Sequence, residues 1–99
     1  MSRFALRFAR KAEDDLIDIW NYVAQHNAGA ADRLLKGLET RLRLLADYPF
    51  AGRIREDMAD GTRHLAIGEY LTFYRVAEHT VQIIRVLHGH RDITAKDMR

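Results

Sequence analysis

Residues 62–87 read TRHLAIGEYLTFYRVAEHTVQIIRVL, and this run decides the fold. It divides into three stretches of strand-like composition at 62–67, 70–77 and 80–87. Two-residue links, Gly68-Glu69 and Glu78-His79, join them. Links this short predict antiparallel hairpins; the first carries the usual turn glycine and the second carries neither Gly nor Asn. Because side chains alternate along a strand, the faces can be sorted. Tyr70, Thr72, Tyr74 and Val76 share one side of the middle strand, with Leu71, Phe73 and Arg75 on the other. On the last strand Ile84, Val86 and His88 oppose Ile83, Arg85 and Leu87.

Working toward the N-terminus, residues 47–61 form the only long irregular stretch and hold the single proline, Pro49. Before it stand two apolar stripes. Leu16, Ile19, Trp20 and Val23 fall at i, i+3, i+4 and i+7. Ala31, Leu34, Leu35, Leu38, Leu42 and Leu45 continue with spacings of one, three and four. Both predict amphipathic helices, at about 10–27 and 29–47, joined closely enough to form an antiparallel hairpin. Glu13, Asp14 and Asp15 crowd the first turn of the first helix, where the positive end of its dipole favours them. At the start, Phe4, Leu6 and Phe8 alternate with Arg3, Ala5 and Arg7, the period of a half-buried strand. Ile93 to Arg99 can form one helical turn, with Thr94 as its cap.

The order β-α-α-β-β-β predicts an α+β fold of two layers, with a helical hairpin on one face of a four-stranded antiparallel sheet. Ninety-nine residues suit a single domain spanning 1–99. The apolar runs fall far short of the roughly 18 residues of a membrane span, and the start lacks a signal peptide's apolar core. The expectation is a cytoplasmic protein with no membrane partner.

Composition removes much chemistry. There is no cysteine, so disulfides, thiolate metal sites and cysteine nucleophiles are excluded. Ser2 is the one serine, and no glycine-rich phosphate loop occurs. His88 and His90 would point to one side of a strand, but two histidines without a third ligand do not make a zinc site. Neither metal nor cofactor is expected. His88-Gly89-His90-Arg91-Asp92 contains an acid, a base and a cation of the kind that cleaves phosphodiesters, but it also reads as a strand end followed by a charged turn. The net charge is only +2, yet residues 1–10 alone carry +3, and thirteen of the sixteen basic residues are arginine. Arginine is the better side chain for bidentate contact with carboxylate or phosphate.

Two helices cover one face of the sheet and leave the other open. Arginine is rarely buried without a partner, so the sides bearing Arg7, Arg75 and Arg85 are expected to be that open face. It would also carry Leu71, Phe73, Ile83 and Leu87. Large apolar residues among arginines suggest a surface for a protein partner.

With its elements placed, the chain resembles the ParE branch of the RelE/ParE toxin superfamily. The resemblance rests on an ordered set spanning nearly the whole chain. The set comprises Ala12-x-x-Asp15-Leu16-x-x-Ile19-Trp20-x-Tyr22, Ala30-Ala31, Tyr48-Pro49-x-x-Gly52-Arg53-x-Arg55 and Gly61-x-Arg63. Tyr70-Leu71-x-Phe73-Tyr74-Arg75-Val76 and Ile84-Arg85-Val86-Leu87-His88-Gly89-x-Arg91-Asp92 complete it. The resemblance implies a toxin of a type II toxin–antitoxin module, held inactive by a ParD-like antitoxin and acting on DNA gyrase by binding, without catalysis. Candidate antitoxin contacts are Leu71, Phe73, Arg75, Ile83, Arg85 and Leu87; candidate target contacts are His90, Arg91 and Arg99. No catalytic residue and no sequence-specific nucleic-acid binding by the toxin alone are expected. The alternative is the RelE branch, ribosome-dependent mRNA endonucleases. That branch usually has an arginine where Leu71 stands and a late tyrosine or histidine after the position of Arg91, and this sequence has neither. Where the family often opens its first helix with Ser-Pro, this sequence has Ala9-Arg10.

Overall fold

The structure is a computed structural model that describes residues 3–99; Ser2 lies outside the described residues. Strand β1 spans Ala5–Phe8 and is followed by helices α1 (Arg10–Ala24) and α2 (Ala28–Arg43). A 3-10 turn, Leu44–Ala46, extends α2. Strands β2 (Arg53–Ile54), β3 (Arg63–Ile67), β4 (Tyr70–Ala77) and β5 (Thr80–His88) follow, and a second 3-10 turn occupies Ala95–Met98. The predicted hairpin and the three strands of residues 62–87 are therefore present. Among the described residues no helix is long and apolar enough to cross a membrane.

The sheet corrects the prediction in two respects. It has five strands, ordered β1-β5-β4-β3-β2, because Arg53–Ile54 of the irregular stretch pairs with β3. It is also mixed, since β1 lies parallel to β5, with Ala5 opposite Thr80 and Phe8 opposite Ile83.

Local chemistry explains the element ends. Ala9 offers no side-chain cap to α1, whereas Asn27 Oδ1 accepts the Ala30 N–H at 3.0 Å and opens α2. Thr94 and Asp97 close a capping box around the last turn. The link without Gly or Asn still makes a tight turn, with Glu78 and His79 at φ of 50° and 58°. Gly52 is required for a different reason. A Cβ there would lie 2.7 Å from both the His64 carbonyl and the Tyr74 hydroxyl. Its N–H donates to Tyr74 Oη at 2.8 Å, and its carbonyl accepts from Arg63 at 2.8 Å, which pins the loop to β3 and β4.

The main core lies between the helices and the sheet. Leu38, Leu42 and Leu45 pack with Ile67, Tyr70, Tyr74, Val81, Ile83 and Val86. Ile83 belongs here because a β-bulge shifts the β4–β5 register between Phe73 and Tyr74. Phe73 opposes Arg85 and Tyr74 opposes Ile83, so Ile84 is the extra residue. The bulge reverses the expected facing of Ile83 and Ile84.

Candidate functional site

The face expected to be open is closed over much of its area by the chain itself. Met58, Phe73, Ile84, Leu87 and Met98 form a second core, with Ala59, Leu71 and Ile93 against it. Phe73 is 0% exposed and Leu87 4%, while Ile83 is buried under the helices. Of the six residues expected to meet an antitoxin, three are thus buried within the monomer, and Leu71, Arg75 and Arg85 are partly so. The covering segments are the 55–62 loop and the C-terminal turn. Their methionines gave no periodic signal in the sequence.

Arg85, one of the candidate antitoxin contacts, is drawn into an ion pair within the chain. Its Nε and Nη2 donate to the two carboxylate oxygens of Asp15 at 2.8 Å each, a bidentate pair of low exposure. This bonding to Asp15, opposed by burial, holds the guanidinium above its ordinary pKa. Asp15 also accepts the Val86 N–H at 2.9 Å. The last bond of β1 to β5 is from Ala9 N to the Ile83 carbonyl. Past that point β5 lacks its strand neighbour, and the Asp15 carboxylate on α1 takes the place of the missing acceptor. The acid read as a helix-dipole residue is therefore the bolt between α1 and the sheet. The two residues are 70 positions apart, beyond any local pattern.

The same guanidinium reaches the tail. Arg85 Nη1 donates to the Asp97 carbonyl at 2.9 Å, and the Asp97 carboxylate accepts from Arg91 Nη2 and Thr94 N, each at 2.9 Å. Lys11 Nζ donates to the Arg99 carbonyl. Of the expected target contacts, His90, Arg91 and Arg99 are exposed. His90 stacks on His88 with ring centroids 5.0 Å apart, and its N–H donates to His88 Nδ1 at 3.2 Å. His88 turns toward the helix side, edge-on to Tyr70 at 5.5 Å. Burial pushes the Tyr70 hydroxyl above its usual pKa, aided by Glu69 and Tyr22. Among the described residues no group of three His, Asp or Glu is placed to hold a metal ion.

Two hollows flank the helical hairpin. One, of about 980 Å³, lies over the β3–β4 turn between Tyr22, Arg33, Arg41, Glu69 and His88. The other, of about 710 Å³, runs between β1 and the helices. Leu6 and Phe8, with Leu16, Ile17, Trp20 and Leu35, give it an apolar lining rimmed by Glu13, Glu39 and Arg43. Ile17 is 57% exposed there. Trp20 is fixed by its indole N–H, which donates to Asp32 at 2.8 Å. β1 is the edge of the sheet, and because Ala5 and Ala9 direct their N–H groups to the β5 side, alternation turns those of Leu6 and Phe8 outward along this groove. In the sequence Leu16, Trp20 and Leu35 were legible only as helix stripes and Leu6 and Phe8 as a half-buried strand, while Ile17 lay outside both stripes.

Comparison with known proteins agrees with this architecture. The chain is similar to Toxin ParE1 of Caulobacter vibrioides, 37% identical over 83 residues, which cover 83% of this chain and 85% of that protein. It is 32% identical over 94 residues to Toxin ParE1 of Mycobacterium tuberculosis, covering 93% and 94%. Toxin RelE2 of Caulobacter vibrioides is 33% identical over 81 residues, covering 82% and 90%. Among solved structures, a chain of the chromosomal ParDE system from P. aeruginosa superposes with a TM-score of 0.75 at 24% identity, covering 87% of this chain and 96% of that one. A chain of the RelBE2 toxin–antitoxin complex from Mycobacterium tuberculosis gives 0.68 at 26% identity, covering 88% and 99%. The family model described as "ParE toxin of type II toxin-antitoxin system, parDE" matches residues 6–93. With its helical hairpin, mixed sheet and near full-length matches, the chain belongs to the ParE toxin family of type II toxin–antitoxin systems.

Proposed function

We propose that this toxin inhibits DNA gyrase by binding it, and that a ParD-like antitoxin neutralises it. The observation that carries this reading is the state of Arg85 and Arg91. Cleavage of RNA by its own 2′-hydroxyl needs a base, an acid and cations free to meet the developing phosphorane charge. Arg85 is bound to Asp15 in a buried pair and Arg91 to Asp97 at the surface, so both cations of the 84–92 motif already have carboxylate partners. His88 Nδ1 is occupied by the His90 N–H. A binder needs only an accessible surface, and His90, Arg91 and Arg99 supply one at the end of the sheet.

The antitoxin segment is proposed to lie in the groove beside β1. Leu6, Phe8, Leu16, Ile17, Trp20 and Leu35 supply apolar contact, and the outer edge of β1 supplies backbone donors and acceptors. This moves the docking site from the 71–87 residues, which the chain buries for itself, to a surface it leaves uncovered. Ile17→Asp should weaken the toxin–antitoxin complex by more than a hundredfold with the toxin still folded. Leu71→Asp should change it far less.

The purified chain should inhibit supercoiling by gyrase, and His90→Ala should leave that inhibition largely intact. Ribosome-dependent mRNA endonuclease activity is the second reading, favoured by the similarity to Toxin RelE2. Cleavage of mRNA in the ribosomal A site, abolished by Arg91→Ala and unaccompanied by gyrase inhibition, would replace the first reading with the second.

A further inference from the structure

The tail and the 55–62 loop close only part of the second face. Beyond Phe73 the sheet stays open, and two rows of aligned side chains cross it. Arg7, Gln82 and Arg75 form one row on β1, β5 and β4; Ala5, Thr80 and Ala77 form the next. With strands about 4.8 Å apart, Arg7 and Arg75 stand about 10 Å apart, and the small neighbours leave them clear. Arg53 on β2 continues the band, opposite His64 on β3, which in turn opposes Phe73. Among the described residues Arg7, Arg53 and Arg75 have no ion pair. Arg75 Nε and His64 Nδ1 are buried polar atoms without a hydrogen-bond partner. Asp57 lies near His64 of this band, and Arg55 already holds it bidentately. A chain of net charge +2 thus gathers unneutralised guanidinium groups on one flat half-face.

We infer that this half-face binds the phosphodiester backbone of nucleic acid, without reading sequence. An acidic peptide would fit the charge, but peptide recognition rests on apolar anchors, and the aromatic ring of this region, Phe73, is fully buried. For the same reason bases have no platform on which to stack. Phosphates need only the charge, and guanidinium matches them bidentately. The inference stands apart from the gyrase reading, because it concerns the isolated toxin.

The test is fluorescence anisotropy of the full chain with a labelled 20-bp DNA duplex, a 20-nucleotide RNA and a poly-glutamate peptide, each across a salt series. Each phosphate contact on duplex DNA contributes about −0.9 to the slope of log K against log salt, so a slope near −2 to −3 is expected. Arg7→Gln with Arg53→Gln, both at exposed positions, should weaken nucleic-acid binding at least tenfold and reduce the slope by about 1–2. Arg75→Gln should weaken it further, with circular dichroism reporting whether that variant is folded. Arg33→Gln with Lys36→Gln, on α2, should change neither quantity. The duplex and RNA arms identify which source of phosphodiester is preferred. Absence of duplex and RNA binding at 20 mM salt would overturn the inference. So would an unchanged slope in the Arg7/Arg53 variant, or tighter binding of poly-glutamate than of either nucleic acid.

Discussion

The two faces of the sheet are covered to different extents and by different means. The first is covered by two helices whose apolar residues recur every third or fourth position and meet Tyr70 and Tyr74 of β4 and Val81, Ile83 and Val86 of β5. The second is covered in part, by two methionines, Met58 and Met98, carried on segments with little secondary structure and held down by a charged network around Arg85. A face closed by a helical hairpin cannot open without loss of the fold. A face closed by a loop and one 3-10 turn can open locally, because few apolar contacts oppose it. Asp15 belongs to both, since its carboxylate joins α1 to Arg85 and Arg85 holds the tail.

Asp15→Ala should therefore be the most damaging change. It leaves the buried Arg85 charge without its carboxylate and the Val86 N–H without an acceptor. The expected cost is about 3–5 kcal/mol, read by denaturant unfolding. If the cost is below about 1 kcal/mol, the bolt is not structural. The two faces are compared directly by Leu42→Ala and Met98→Ala. Leu42 is fully buried under the hairpin, and its truncation should cost about 3 kcal/mol and raise exchange of all slow amides together. Met98→Ala should cost about 2 kcal/mol at most, with faster exchange confined to the tail and 55–62. Equal and global effects would remove the distinction between the faces.

Glu78→Asn should act in the stabilising direction. It replaces a residue held at positive φ by one that tolerates that conformation, for a gain of up to about 1 kcal/mol in melting experiments. The smallest effect is in pH dependence. Burial, then Arg55 and Arg53, lower the His64 pKa below its ordinary value, against a weaker opposing pull from Asp57. The unfolded chain therefore takes up the proton first as pH falls, and stability declines below about pH 6.5. His64→Gln should flatten that part of the profile between pH 7.5 and 5, measured as the change in Tm; an unchanged profile would show that His64 is not the titrating group.

The parts of the fold legible in the sequence were those with a local period. Both helices, the three strands of residues 62–87 and the turn after Thr94 follow from spacing and caps. What escaped depends on a parity or a distance. One bulge residue, Ile84, reverses the facing of everything before it on β5, so Ile83 moved from the open face to the core. The parallel pairing of β1 and the role of Asp15 join residues some seventy positions apart. The candidate surfaces were less legible than the fold. Leu71, Phe73 and Leu87 do lie on the face away from the hairpin, but only tertiary structure shows that Met58 and Met98 cover it. The arginines of that face divided the same way, with Arg85 drawn into an ion pair and Arg75 left without one.

The pairing of Ala5 with Thr80 sets the order in which the molecule can be finished. Strands β3 to β5 close as neighbours, but β1 must wait for a partner that the ribosome makes 75 residues later. At about 5–20 residues per second that is roughly 4–15 s of synthesis. During this interval Leu6 and Phe8 have no sheet to join, and the groove they line does not exist. A partner that recognises that groove meets only molecules whose last strand has been made. Capture of the toxin by such a partner is therefore timed by the synthesis of β5.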